Sequence, residues 1–184
     1  MLRKALSPVT DAQPSGDHRL DVTQLFREHY DGLYRYLVRL TGDADTAADA
    51  AQEAFVRLVE RPPHDRHLRA WLYAVATNVV RDSARSRSRW FTLLAGSPDR
   101  APMGDVPAAP DEEAESNERR RLVRAALDRL SLKERTVLLM REEGFAHHEI
   151  AAAVGTTTGS VGTMLARALR KLSAELAATS ENLR

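Results

Sequence analysis

The stretch AGSPDRAPMGDVPAAPDEEAESNE, residues 95–118, constrains the fold more than any other part of the chain. It repeats proline and glycine, is acidic, and holds almost no large apolar side chain. Such a segment cannot bury enough surface to offset the entropy of ordering it, so it reads as a flexible linker. The pattern predicts an all-α protein of two small helical domains joined by this acidic linker. The expected divisions are a leader over 1–19, a first domain over 20–90, the linker over 91–117, a second domain over 118–176 and a tail over 177–184.

Helical spacing supports both halves. From Leu20 the apolar residues Val22, Leu25, Phe26, Tyr30, Leu33, Tyr34, Leu37 and Val38 recur on one helical face, and Gly42 is placed to end that helix. Asp43 or Asp45 can cap the next helix, which is expected to bury Ala47, Ala48, Ala51, Phe55, Leu58 and Val59 and to stop at Pro62-Pro63. A third runs from about Leu68 to Trp90, with Leu68, Trp71, Leu72, Val75, Ala76 and Val79 on one face. Helices resume near Glu118, with Leu122, Ala126, Leu127 and Leu130 inward. Ser131 and Glu134 form a capping box, Gly144 ends the helix it opens, and the chain frays after Leu176. Residues 1–19, with Pro8, Pro14, Ser15 and Gly16, show no periodicity.

Composition narrows the class. The 184 residues, 43% of them apolar, contain no run long enough to span a membrane, and MLRKALSPVT lacks the apolar core of a secretory signal. With no cysteine, disulfides and thiolate metal sites are excluded. A soluble cytoplasmic protein is expected, with no membrane insertion. The net charge of +1 hides an asymmetry. Residues 61–90 carry seven arginines against two aspartates, residues 91–117 six acids against Arg100, and residues 118–178 eleven bases against seven acids. Two basic blocks around an acidic one suggest two modules that face a polyanion.

The segment EIAAAVGTTTGSVGTMLARALRKL, residues 149–172, has the spacing of a helix-turn-helix. Ala151 supplies the small residue at the helix contact and Gly155 the residue tolerant of a left-handed turn. Ile150, Val154, Val161 and Met164 supply the apolar seal. The second helix, however, presents Thr157, Thr158, Gly159, Gly162, Thr163 and Ala166, with no charge before Arg167. Bidentate base reading is therefore absent from its early positions, though threonines and helix N-terminal amides can meet methyl groups and phosphates. Arg167, Arg170 and Lys171 can reach the backbone.

DAAQEAFVRL (49–58) and AWLYAVATNVVRDSARSRSR (70–89), followed by a linker and this helix-turn-helix, resemble the extracytoplasmic-function (ECF) group of bacterial sigma factors of the sigma-70 family. The resemblance covers about residues 20–176 and rests on D-x-x-Q-E-x-F, A-W-L-Y, N-x-x-x-D-x-x-R and E-I-A…V-G…G-S-V recurring in order. It implies that residues 20–90 form region two and residues 118–176 region four, with the linker threading toward the polymerase active-site and RNA-exit channels. It implies further that Asp49, Gln52 and Glu53, at i, i+3 and i+4, dock the β′ clamp helices of core RNA polymerase, while region four meets the β flap. Residues 61–90 would handle the promoter −10 element. There Asn78 and the loop Pro62 to His67 would capture a flipped base, and Arg81, Arg85, Arg87 and Arg89 would supply charge. Asp82 would orient a neighbouring arginine. Trp71 shares the register of Leu68 and Val75, which favours core packing over stacking. Thr157, Thr158, Thr163, Arg167, Arg170 and Lys171 would face the −35 element. Where the family commonly has Lys and Arg, this chain has Gly162 and Met164, so the segment is expected to hold DNA more than to read it. An anti-sigma partner is implied too.

An enzyme reading has only His64-Asp65 and the pair His147-His148 to draw on, and adjacent histidines on a helix point apart rather than forming a zinc-binding i, i+4 pair. No enzymatic activity, cofactor or metal is expected. The competing reading is a two-domain regulator or adaptor that binds DNA or polymerase without starting transcription.

Overall fold

The computed structural model describes residues 21–63, 67–95 and 114–181. They form seven α-helices with no strand among them: α1 (Val22–Thr41), α2 (Ala44–Glu60), α3 (Leu68–Ala95), α4 (Ala114–Asp128), α5 (Leu132–Glu142), α6 (His147–Val154) and α7 (Thr158–Glu181). α3 thus runs past Trp90, α4 starts before Glu118, and α7 continues beyond Leu176. The linker expected over 91–117 is shortened at both ends, and the tail expected from 177 is helical to Glu181. The leader 1–19 and the remaining linker lie outside the described residues.

α1, α2 and α3 make the first module. Asp21 and Asp43 cap α1 and α2 by accepting from the amides of Gln24 and Thr46. The Thr46 hydrogen bonds, aided by Arg87, hold the Asp43 carboxyl below the usual carboxylate range. Its contribution to stability is therefore present at neutral pH and lost as pH falls through that depressed value. α2 presents four buried alanines, Ala47, Ala50, Ala51 and Ala54, so its backbone approaches both neighbours closely. Leu33, Leu37 and Leu40 from α1, Phe55 and Leu58 from α2, and Leu72, Ala76 and Val80 from α3 fill the space around them. Tyr36 is fully buried but keeps a partner, its hydroxyl lying 2.8 Å from Thr77 Oγ1. Three residues depart from the expected burial: Ala48 is half-buried, Val59 is 60% exposed, and Phe26 is 40% exposed with its ring 4.9 Å from that of Phe55.

α4 to α7 make the second module, around Leu130, Val137, Met140, Ile150, Ala153, Val154, Val161 and Ala168. The capping box expected of Ser131 and Glu134 opens α5. Gly144 and Gly155 take φ of 86° and 63° and turn the chain between α5, α6 and α7.

The modules also pack on each other, which sequence spacing did not indicate. Glu143, at the C-cap of α5, accepts hydrogen bonds from Arg39 on α1 and from Arg69 and Tyr73 on α3. The Arg69 guanidinium lies 4.4 Å from the Phe145 ring centroid and 5.1 Å from that of Tyr73, and those two rings are 4.8 Å apart. Arg124 donates to the carbonyls of Val38 and Arg39, and the buried Arg135 to that of Leu40. These carbonyls lie at the negative end of α1, where that of Val38 also accepts from the Gly42 amide. Gly42, with φ 74°, ends α1 in the left-handed region, and a Cβ there would run into the Arg124 guanidinium.

Replacing Glu143 by Gln is expected to loosen the modules by about 1–2 kcal/mol, since charge-assisted bonds are lost from a half-exposed cluster. Small-angle scattering should show a larger radius of gyration with helix content by circular dichroism unchanged. An identical scattering profile would count against the cluster as the tie between modules.

Candidate nucleic-acid interface

On α2, Asp49 and Gln52 are exposed, but Glu53 is half-buried and its Oε1 accepts from Arg57 at 2.8 Å. Of the three residues expected to face a partner, two are open and one is tied within its own helix. The same face continues into Val56 and Val59, 49% and 60% exposed. Residues 52, 56 and 59 fall at helical spacing, so their shared face was visible in the sequence. That Val59 stays outside the core was not.

A groove separates α2 from α3, lined by Thr46, Asp49 and Ala50 on one side and Val79, Ser83, Ser86 and Arg87 on the other. α3 then continues as a solvated arm. Arg85, Arg87 and Arg89 are exposed, interleaved with the exposed serines 83 and 86. Asp82 lies 3.9 Å from Arg85, both highly exposed, a loose pair that steers the arginine only weakly. Arg81 differs from the other three. It is half-buried and donates to Asn78 Oδ1, and its Nε is buried with no hydrogen-bond partner among the described residues. Asn78 and Arg81 therefore form one unit on α3, with the amide orientation of Asn78 set by the guanidinium.

Trp71 is half-buried against the core, as its register implied. Residues 64–66 of the loop expected to capture a base, which include the His64-Asp65 pair, lie outside the described residues. His67, at the loop's end, is exposed and sits beside α6, its ring edge-on to His148 with centroids 6.5 Å apart and its Nδ1 3.9 Å from Glu149. Among the described residues no group of His, Asp and Glu is arranged to hold a metal ion, and no helix is long and apolar enough to cross a membrane.

α6 and α7 close as a helix-turn-helix. Ile150, Ala151, Val154 and Val161 are buried between them, Met164 packs at the edge, and Gly155 makes the left-handed turn. Thr157 precedes α7 with its hydroxyl 2.8 Å from that of Ser160. Thr157, Thr158, Gly159, Gly162, Thr163 and Ala166 are all exposed, so the first two turns present a shallow face of small residues. A Cβ built on Gly162 would meet nothing within 4 Å.

The cations further along α7 are not equivalent. Arg170 is exposed. Lys171 donates to Glu134 Oε2 at 3.3 Å, and Arg167 Nε lies 3.7 Å from Glu134 Oε1. Sequence spacing showed Glu134 only as a helix cap, and nothing across the separation of 37 residues from Lys171 signalled that the two meet.

Comparison with known proteins places this geometry. Residues 25–89 match the model of Sigma-70 region 2 and residues 120–172 that of Sigma-70, region 4. The chain is 35% identical over 153 residues to the ECF RNA polymerase sigma factor SigL of Mycobacterium tuberculosis, covering 80% of this chain and 84% of that protein. It is 27% identical to the RNA polymerase sigma factor YlaC of Bacillus subtilis, over 91% of this chain and 98% of that one. In structure it resembles the sigma factor RpoE of Bartonella quintana, solved with the anti-sigma factor NepR, at a TM-score of 0.70 and 22% identity over 85% of this chain and 97% of that one. CnrH, solved with the cytosolic domain of CnrY, follows at 0.59 and 24%, over 85% of this chain and 88% of that one. With both sigma regions matched in order on two helical modules, the chain belongs to the ECF sigma factors of the sigma-70 family and is an alternative sigma factor that directs transcription initiation.

Proposed function

We propose that the two modules divide the work of initiation as follows. Residues 20–90 bind core RNA polymerase and the −10 element, residues 118–176 bind the −35 element and the β flap, and the factor performs no chemistry of its own. Core polymerase meets α2 through Asp49 and Gln52, with Val56 and Val59 adding apolar contact on the same face and Glu53 holding Arg57 in place. Arg85, Arg87 and Arg89 track the −10 backbone, while the braced pair Asn78–Arg81 faces a base edge. The observation that carries this reading is the exposed arginine arm of α3 set beside the polar–apolar face of α2. An anti-sigma factor is the expected inhibitor, as the sigma factor RpoE, which shares this fold, was solved with the anti-sigma factor NepR. The protein works in the cytoplasm, where polymerase is.

Run-off transcription with core polymerase tests the whole reading against the adaptor alternative. A transcript that depends on adding this chain is expected, and promoter binding without any transcript would favour an adaptor. Within it, replacing Asp49 and Gln52 together by Ala should weaken core binding about tenfold, a loss of about 1.4 kcal/mol, with thermal unfolding unchanged. Full affinity in the double variant would move the docking surface elsewhere.

The small-residue face of α7 has its own consequence. Holding through amides, threonines and a few cations gives little base discrimination. Single-base changes in the −35 element should therefore cost less binding than changes in the −10 element. Gly162→Lys should tighten binding, because the site is open, a phosphate partner is added, and a helix-weakening Gly costing about 1 kcal/mol is removed. A promoter-variant panel with sharp −35 discrimination would overturn this.

A further inference from the structure

Two of the polar atoms around the Glu134 carboxylate come from its own helix start and two from a helix far along the chain. Its Oε2 accepts from Ser131 N at 2.9 Å, from Ser131 Oγ at 2.7 Å and from Lys171 Nζ at 3.3 Å, while Oε1 faces Arg167 Nε. The Glu134 amide in turn donates to Ser131 Oγ at 3.3 Å. The capping box therefore anchors the carboxylate, which cannot swing away from α7 without opening the N-terminus of α5. Its side chain is only 14% exposed, against 39% for Lys171 and 77% for Arg167. Ser131, then Lys171, hold its carboxyl below the usual range despite burial, so the charge is present at neutral pH.

We infer that Glu134 sets the strength with which α7 grips the DNA backbone, by competing with phosphate for Lys171 and, more weakly, for Arg167. A cation neutralised by a protein carboxylate has little counterion to release when phosphate replaces it, so it adds little to affinity and to salt dependence. Arg170, exposed and with no carboxylate within ion-pair distance among the described residues, gives its full share. Glu134 is thus a positioning residue. It aligns two side chains along α7 and lowers what each yields on binding, in a helix already lacking basic residues at 162 and 164. The inference rests on the reading that α7 lies against DNA.

The test uses the full chain and a random-sequence duplex of about 30 base pairs, since a phosphate effect is independent of sequence. Glu134→Gln keeps an acceptor for Ser131 and hence the capping box, but removes the charge. It should tighten binding about threefold or more at low salt and steepen the slope of log K against log salt by up to about 0.9 per phosphate newly engaged. Lys171→Ala should weaken binding little in the parent chain and clearly in the Glu134→Gln background, whereas Arg170→Ala should weaken both alike. A helix cap alone would move neither the slope nor this coupling. An unchanged slope in Glu134→Gln, or an equal loss from Lys171→Ala in both backgrounds, overturns the inference. If Arg170→Ala and Gly162→Lys also leave binding unchanged, the placement of α7 on DNA fails as well.

Discussion

The Glu143 carboxylate is where the arrangement of the two modules turns. Arg39, Arg69 and Tyr73 all reach it from the first module, and Arg69 lies against the rings of Tyr73 and Phe145 while staying exposed. The carboxylate itself is 20% exposed, so its pairs are screened less than open surface pairs and avoid the full cost of a buried charge. Arg124 and Arg135 use the same device on the carbonyls that end α1. Beneath these polar ties the apolar interiors of the two modules are continuous, one buried cluster running from Leu33, Leu37 and Leu72 through Tyr73 and Phe145 to Met140 and Ile150.

Opposite charges are distributed with equal economy on the surfaces proposed to meet nucleic acid. Along α3 the outward arginines are spaced by serines, with Asp82 loosely placed beside Arg85 and Asp43 near Arg87, so the arm keeps a net positive field. On α7 the field is weaker. Small residues fill the first turns, and Glu134 lies within ion-pair distance of two of the three cations that follow. One module thus exposes a run of arginines beside the Asn78–Arg81 pair, and the other a smooth face of small residues.

Much of this was legible before any coordinates. Helical periodicity located all seven helices, Gly42, Gly144 and Gly155 marked three turns, and Asp43 and Ser131 marked two helix starts, because each acts within a few residues of itself. Helix ends next to the acidic stretch were misjudged. Residues 91–95 and 114–117 are helical although the composition around them reads as linker. Val59 was expected inward because it follows Leu58 on an apolar pattern, yet Leu58 takes the core-facing position and leaves Val59 exposed.

By itself the sequence determined the all-helical class, the two modules, the turn chemistry of the helix-turn-helix and the residue types available to meet polymerase and DNA. These depend on local spacing and on backbone preferences that a short window carries. Tertiary structure alone decided which of those residues are open and which are already paired. Lys171 is paired with Glu134 from another helix, while Arg170 and Arg89 stay exposed. It also decided that Glu143 joins the modules, over a separation of 104 residues from Arg39. The reason is physical: a charge finds its partner across space, and no periodicity along the chain records which distant side chain the folded helices will bring beside it.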